Sequence, residues 1–123
     1  MQNPLPDISL QISWVYTHEL DATAKFYTDR LGLECIRDEG RARIFATAGT
    51  SAIGVCEAFA GRVVEPKGGM ISLVTDDVDG CYRRLLENGA SVEKAPHRLE
   101  RFGIYTFFVT DPNGYVIEFQ QFD

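Results

Sequence analysis

The hydrophobic and polar positions of this chain fall into one pattern that occurs twice. Ile8 to Tyr16 is rich in Ile, Trp, Val and Tyr and predicts a strand. Glu19–Leu20–Asp21 follows, then a stretch from Asp21 to Leu31 in which Ala22, Phe26, Tyr27 and Leu31 suit one face of a helix. Gly32 stands where a helix stop belongs. The second half begins with a strand over Met70 to Val74. Asp76–Asp77–Val78–Asp79 comes next, then a helix over Asp79 to Asn88 with Leu85 and Leu86 on its apolar side and Gly89 as its stop. Leu20–Asp21 superposes on Val78–Asp79, and Gly32 on Gly89, with a one-residue slip inside the helix.

Each helix is followed by three candidate strands. They are Leu33 to Arg37, Arg43 to Thr47 and Ala52 to Phe59 in the first half, and Ser91 to Lys94, Ile104 to Thr110 and Tyr115 to Phe122 in the second. Asp111–Pro112–Asn113–Gly114 predicts the last hairpin, because Pro presets φ and Asn-Gly tolerates positive φ. The unit is therefore β-α-β-β-β, used twice in one α+β domain. The first module covers 8–59, a Gly- and Pro-containing linker covers 60–69, and the second module covers 70–122. Neither half is large enough to bury a sheet face alone, so the two are expected to pack together, with the concave faces of both sheets lining a cleft.

Composition narrows the setting. The chain has 123 residues, 45% of them hydrophobic, enough for one core. Eighteen acidic residues against 12 basic ones give a net charge of −6, with no basic block, which argues against a nucleic-acid partner. No apolar run approaches the roughly 20 residues of a membrane span, so no membrane partner is expected. Met1 to Asp7 shows no leader pattern. Three scattered cysteines (Cys35, Cys56 and Cys81) fit a reducing cytoplasm better than a disulfide scaffold.

Two local signatures stand on this repeat. One is Leu20-Asp21-Ala22-Thr23-Ala24-Lys25-Phe26-Tyr27 with Leu31-Gly32-Leu33. The other is Asp111-Pro112-Asn113-Gly114-Tyr115-Val116-Ile117-Glu118. With the repeat, they resemble the vicinal oxygen chelate superfamily, which includes glyoxalases, bleomycin-resistance proteins, extradiol dioxygenases and fosfomycin-resistance enzymes. The resemblance runs from about Ile8 to Phe122. It implies paired βαβββ modules around a cleft and, at this length, a homodimer. Phe26, Tyr27, Leu31 and Leu33 are expected to pack the helix on its sheet, and Asp111 to stabilise its own turn.

Metal-dependent members of that family hold one divalent ion with ligands from the first and fourth strands of each module, usually His, Gln or Glu. Carried onto this chain, the four positions read Ile12, Gly54, Met70 and Glu118. One carboxylate, one thioether and two non-ligands do not make a site for such an ion. A shift of one residue gives Gln11, Ile53, Gly69 and Ile117, and Glu57 would add only one donor. The expectation is thus no metal cofactor, with a divalent metal as the alternative. The two histidines do not replace the missing ligands: His18 lies at a strand-to-helix junction, and His97 in a polar segment, Ala95 to Arg98, that overhangs the cleft in the family.

Strand alternation predicts the lining of the cleft. Ile12 brings Trp14 and Tyr16, and Met70 brings Ser72 and Val74. Gly54 brings Ala52 and Cys56, and Glu118 brings Val116 and Gln120. The resemblance adds Thr106 and Phe108. Such a lining suits a small aromatic or cationic organic molecule, with Glu118 as counter-charge or as the catalytic general base. Three functions follow: metal-free binding, as in bleomycin-resistance proteins; a metal-dependent lyase or dioxygenase; and a metal-free enzyme that uses Glu118 to abstract a proton.

Overall fold

The computed structural model describes Pro4 and residues 6–123, so part of the Met1 to Asp7 stretch lies outside the described residues. Strand β1 (Gln11–Thr17) leads into α1 (Leu20–Lys25), and β2 (Cys35–Asp38), β3 (Ala42–Ala46) and β4 (Ser51–Glu57) complete the first unit. The second unit consists of β5 (Ile71–Val74), α2 (Val78–Glu87), β6 (His97–Leu99), β7 (Ile104–Thr110) and β8 (Val116–Phe122). Each unit forms its own four-stranded sheet, ordered β1-β4-β3-β2 and β5-β8-β7-β6. In both, the first strand runs parallel to the last and the remaining pairs are antiparallel.

The one-residue slip between the two helices has a structural counterpart. After α1 the chain continues as a π turn over Phe26–Arg30, with the Leu31 N–H donating to the Phe26 carbonyl at 3.2 Å. A π turn accommodates one residue more than an α turn. The first helical segment therefore holds its extra residue and still ends at Gly32, which is left-handed like Gly89 (φ +69 and +87).

Leu33, Glu34, Thr47, Ala58, Phe59, Met70 and Tyr115 fall just outside the strands expected over them, and two expected strands differ more. Ile8 to Leu10 lie outside β1, because the parallel register starts at Gln11 opposite Ser51 and leaves them no strand partner. Ser91 to Lys94 is irregular, and the fourth strand of the second sheet is instead His97–Leu99. Its register, Leu99 opposite Ile104 and His97 opposite Thr106, is set by the tight turn that follows it and not by the end of α2. Contact with the core does not require strand pairing: Val92 packs against it from this irregular segment.

Alternation divides each sheet into two faces. Val15, Ile53 and Val55 of the first sheet and Phe107, Val109, Ile117 and Phe119 of the second join Leu20, Ala24, Tyr27, Val78 and Leu85 of the helical segments in a single core. Phe107 and Phe119 stack at 5.0 Å, and Tyr27 stacks on Phe45 at 5.9 Å.

The two halves are also locked by polar contacts that join the two sequence signatures. The Tyr27 hydroxyl donates to Asp111 Oδ2 at 2.8 Å, while Asp111 Oδ1 accepts the backbone N–H groups of Asn113 and Tyr115. Thr17, Thr23 and Asn113 close a ring of side-chain hydrogen bonds of 2.9–3.0 Å. Asp111 thus stabilises its own turn, as expected, and also anchors that turn to the first module. Burial pushes the Asp111 carboxyl above the usual carboxylate range, opposed by the bond from Tyr27. The same burial, with the nearby Asp111 charge, pushes the Tyr27 phenol far above its ordinary value.

Candidate functional site

The side chains that face away from the core line three hollows strung along the molecule. The first, about 300 Å³, is lined by Trp14, Tyr16, Cys56, Phe59 and Arg62. The second, about 280 Å³, lies where β1 approaches the start of β5 and includes Trp14, Glu65, Met70 and Tyr115. The third, about 470 Å³, takes Met70, Ser72, Phe102, Phe108, Glu118 and Phe122, with Leu99, Ile104 and Gln120 completing its wall. Trp14 is shared by the first two and Met70 by the last two. In place of one continuous cleft there are three shallow hollows, neighbours sharing an indole or a thioether as a wall.

Glu118 forms the floor of the third hollow. It is opposite Ser72 on β5 and opposite Phe108 on β7, and its side chain is buried. Glu118 Oε1 accepts from Ser72 Oγ at 2.6 Å and from Gln120 Nε2 at 2.7 Å, and Oε2 accepts from Thr106 Oγ1 at 2.8 Å. Strand alternation led to Ser72, Glu118 and Gln120 as cleft residues and the family resemblance added Thr106; the structure adds that Ser72, Thr106 and Gln120 all donate to Glu118. Thr106 is fully buried behind the carboxylate and also lies within 3.0 Å of the Phe119 carbonyl.

The matching position of the first sheet is occupied differently. Gly54 lies directly opposite Trp14, and a Cβ built on Gly54 would overlap the indole ring and crowd Ile12 Cγ2. Glycine here lets the indole lie flat against the β4 backbone. Ile12 is half-buried beneath this contact and lines none of the three hollows. Trp14 stays 39% exposed, so its other surface is open.

The four positions that would carry metal ligands do not fit a divalent cation. An alkyl group stands at Ile12, an indole covers Gly54, and the oxygens of Glu118 already accept from three neutral side chains. Met70 adds a soft sulfur beside a hard carboxylate. Among the described residues, no three His, Cys, Asp or Glu side chains come together as such a site would require.

His18 is exposed at its junction. His97 lies in β6 and not in a loop; its Nδ1 is 2.9 Å from the Ala95 carbonyl, and its ring is 6.4 Å from that of Phe108. It borders a further hollow with Ser91, Glu93 and Lys94, which shares Phe108 with the Glu118 hollow. Sequence reasoning missed Phe102, Phe122, Phe59 and Arg62. Extending the β8 alternation two residues past Gln120 would have found Phe122. The other three sit in turns, where no periodicity reports orientation.

Comparison with known proteins follows from this geometry. The family model described as Glyoxalase/Bleomycin resistance protein/Dioxygenase superfamily matches residues 10–119. No curated protein matches the chain. Among solved structures, lactoylglutathione lyase from Agrobacterium tumefaciens is 26% identical, with 94% of this chain and 95% of that chain covered and a TM-score of 0.71. A glyoxalase/bleomycin resistance protein/dioxygenase from Nocardioides is 18% identical, with 97% and 86% covered and a TM-score of 0.77. TioX from Micromonospora sp. ML1 is 18% identical, with 92% and 98% covered and a TM-score of 0.73.

Proposed function

The chain belongs to the glyoxalase/bleomycin resistance protein/dioxygenase superfamily, and from that premise we propose that it binds a small aromatic cation in an apolar cleft without a divalent metal. The observation that carries this reading is the Glu118 hollow. Its walls are Met70, Leu99, Phe102, Ile104, Phe108 and Phe122, and among the described residues its only charged lining group is the Glu118 carboxylate. A charge beneath apolar walls attracts an organic cation more strongly than the same charge in water, because the screening solvent is displaced. Three aromatic rings add stacking and cation–π attraction. The volume suits a small organic molecule.

Glu118 serves in this reading as a fixed counter-charge. Its oxygens are held by Ser72, Gln120 and Thr106, which fix the orientation of the carboxylate toward the hollow. The working unit is a homodimer in the cytoplasm. Ile36, Val63 and Val74, which line none of the three hollows, are all exposed in the single chain, apolar surface that a second copy would cover while leaving the hollows open to ligand. Three free cysteines suit a reducing compartment.

Titration with N-methylquinolinium tests the reading, followed by melting temperature and by emission of Trp14, the chain's one tryptophan. Saturable binding should raise the melting temperature as mass action requires. Glu118→Gln should weaken binding by about tenfold, the effect of losing one charge-assisted contact. A stoichiometric divalent ion on the purified protein that is lost in Glu118→Gln would overturn the proposal. So would the absence of saturable binding.

A further inference from the structure

The linker contains a built feature that the Glu118 hollow does not use. In Phe59-Ala60-Gly61-Arg62, the Phe59 N–H donates to the Arg62 carbonyl at 2.9 Å and the Arg62 N–H donates to the Phe59 carbonyl at 2.8 Å. Gly61 has φ +80, the left-handed conformation that the third residue of such a tight turn requires. Two residues that exchange both backbone bonds project their side chains to the same face. The Arg62 guanidinium accordingly lies over the Phe59 ring, 5.9 Å from its centre.

This pair closes the first hollow, whose remaining walls are Trp14 and Tyr16 from β1 and Cys56 from β4. Three aromatic rings surround it, and among the described residues Arg62 is its only charged lining residue. Among the described residues Arg62 forms no salt bridge, whereas Arg37, Arg41, Arg43, Arg84 and Arg98 all do. The two end hollows therefore have opposite charge. One presents a guanidinium among aromatic rings, the other a carboxylate; the middle hollow, which carries Glu65, shares Trp14 with the first and Met70 with the second.

We propose that the ligand has a second end, a planar aromatic carboxylate, which stacks on Trp14, Tyr16 and Phe59 and is recognised by Arg62. The ligand class is then an elongated aromatic zwitterion, with its cation at Glu118 and its carboxylate at Arg62. A guanidinium fork matches a carboxylate through two parallel N–H···O bonds, which a lysine could not reproduce. Stacking against Phe59 limits the conformations Arg62 would lose on binding. The proposal rests on the cleft-binding reading above and goes beyond it by naming the anionic group and its partner.

The test compares 2-naphthoate with naphthalene-2-carboxamide, which share a ring system and differ in charge, by quenching of Trp14. The protein should bind naphthoate about tenfold more tightly, the lower end for a hydrogen bond to a charged group. Arg62→Gln should erase that preference, and Arg62→Lys should restore only part of it. Arg83→Gln, an equal charge change at an exposed position on α2, should keep it. Equal affinity for the two probes, no binding of naphthoate, or a preference that survives Arg62→Gln would each overturn the proposal. If N-methylquinolinium still binds in a Glu118-dependent way, only the anionic end is lost. If neither charged probe binds, the cleft-binding reading fails as well.

Discussion

Replacing Tyr27 by Phe removes one oxygen from the interior and tests how the two modules are held. Tyr27 and Asp111 are both buried, 84 positions apart in sequence, and joined at 2.8 Å. Without the phenol, Asp111 Oδ2 loses its hydrogen-bond donor, while Oδ1 keeps two backbone N–H groups. Removing a hydrogen bond to a buried charged group costs about 1.5–3 kcal/mol. For a chain of this size, that lowers the melting temperature by roughly 5–15 °C. Urea unfolding at pH 7 would measure the free energy directly.

The pH dependence sharpens the test. Asp111 titrates above its unfolded value, so its contribution to stability is fullest below the unfolded pKa and is lost as pH rises through the folded one. The bond from Tyr27 favours the ionised carboxylate and opposes this loss. Tyr27→Phe should therefore cost most near neutrality, and the cost should shrink as pH falls through the range where Asp111 protonates. A cost below about 0.5 kcal/mol, well under the range for such a bond, would refute the reasoning. So would a cost that grows on acidification.

Other outcomes follow from the same contacts. Gly54→Ala should destabilise by about 1–3 kcal/mol through overpacking against the indole, and Trp14→Ala in the same chain should recover part of that in thermal melts followed by circular dichroism. Thr106→Val keeps the shape but leaves Glu118 Oε2 without its donor, and should cost about 1–3 kcal/mol in urea unfolding. Arg98 donates to both oxygens of Asp123 and holds that carboxyl below the usual range. In Arg98→Gln the Asp123 midpoint, followed by NMR, should rise. The stability difference between the two proteins should be present above the unfolded carboxylate pKa and vanish as pH falls through the folded one.

Much of the fold was legible because burial acts locally on pattern. Period-two alternation put Trp14 with Tyr16, and Glu118 with Gln120, on the face away from the core, since a strand cannot turn one residue without turning its neighbours, and the family resemblance added Thr106 and Phe108. The slip between the two helices marked the place of the π turn. Ser91 to Lys94 misled because an apolar residue at Val92 reports burial and not strand pairing. The Phe59–Arg62 turn was invisible as a site feature, because Gly61 announces a bend without saying which side chains the bend aligns.

By itself, the sequence determined that the chain is a duplicated βαβββ unit and which face of most strands is buried; the resemblance to the family added that its usual metal positions would fall on Ile12, Gly54, Met70 and Glu118. These are properties of residue type and spacing, read along one strand or helix at a time. Tertiary structure alone decided that Tyr27 reaches Asp111, that Trp14 covers Gly54, and that Ser72, Thr106 and Gln120 converge on one carboxylate. It also decided that a guanidinium lines the first of three neighbouring hollows and a carboxylate the third. Each of these depends on register between strands and on packing between modules. Those are set by the total burial of the folded chain, a quantity that no local stretch of residues contains.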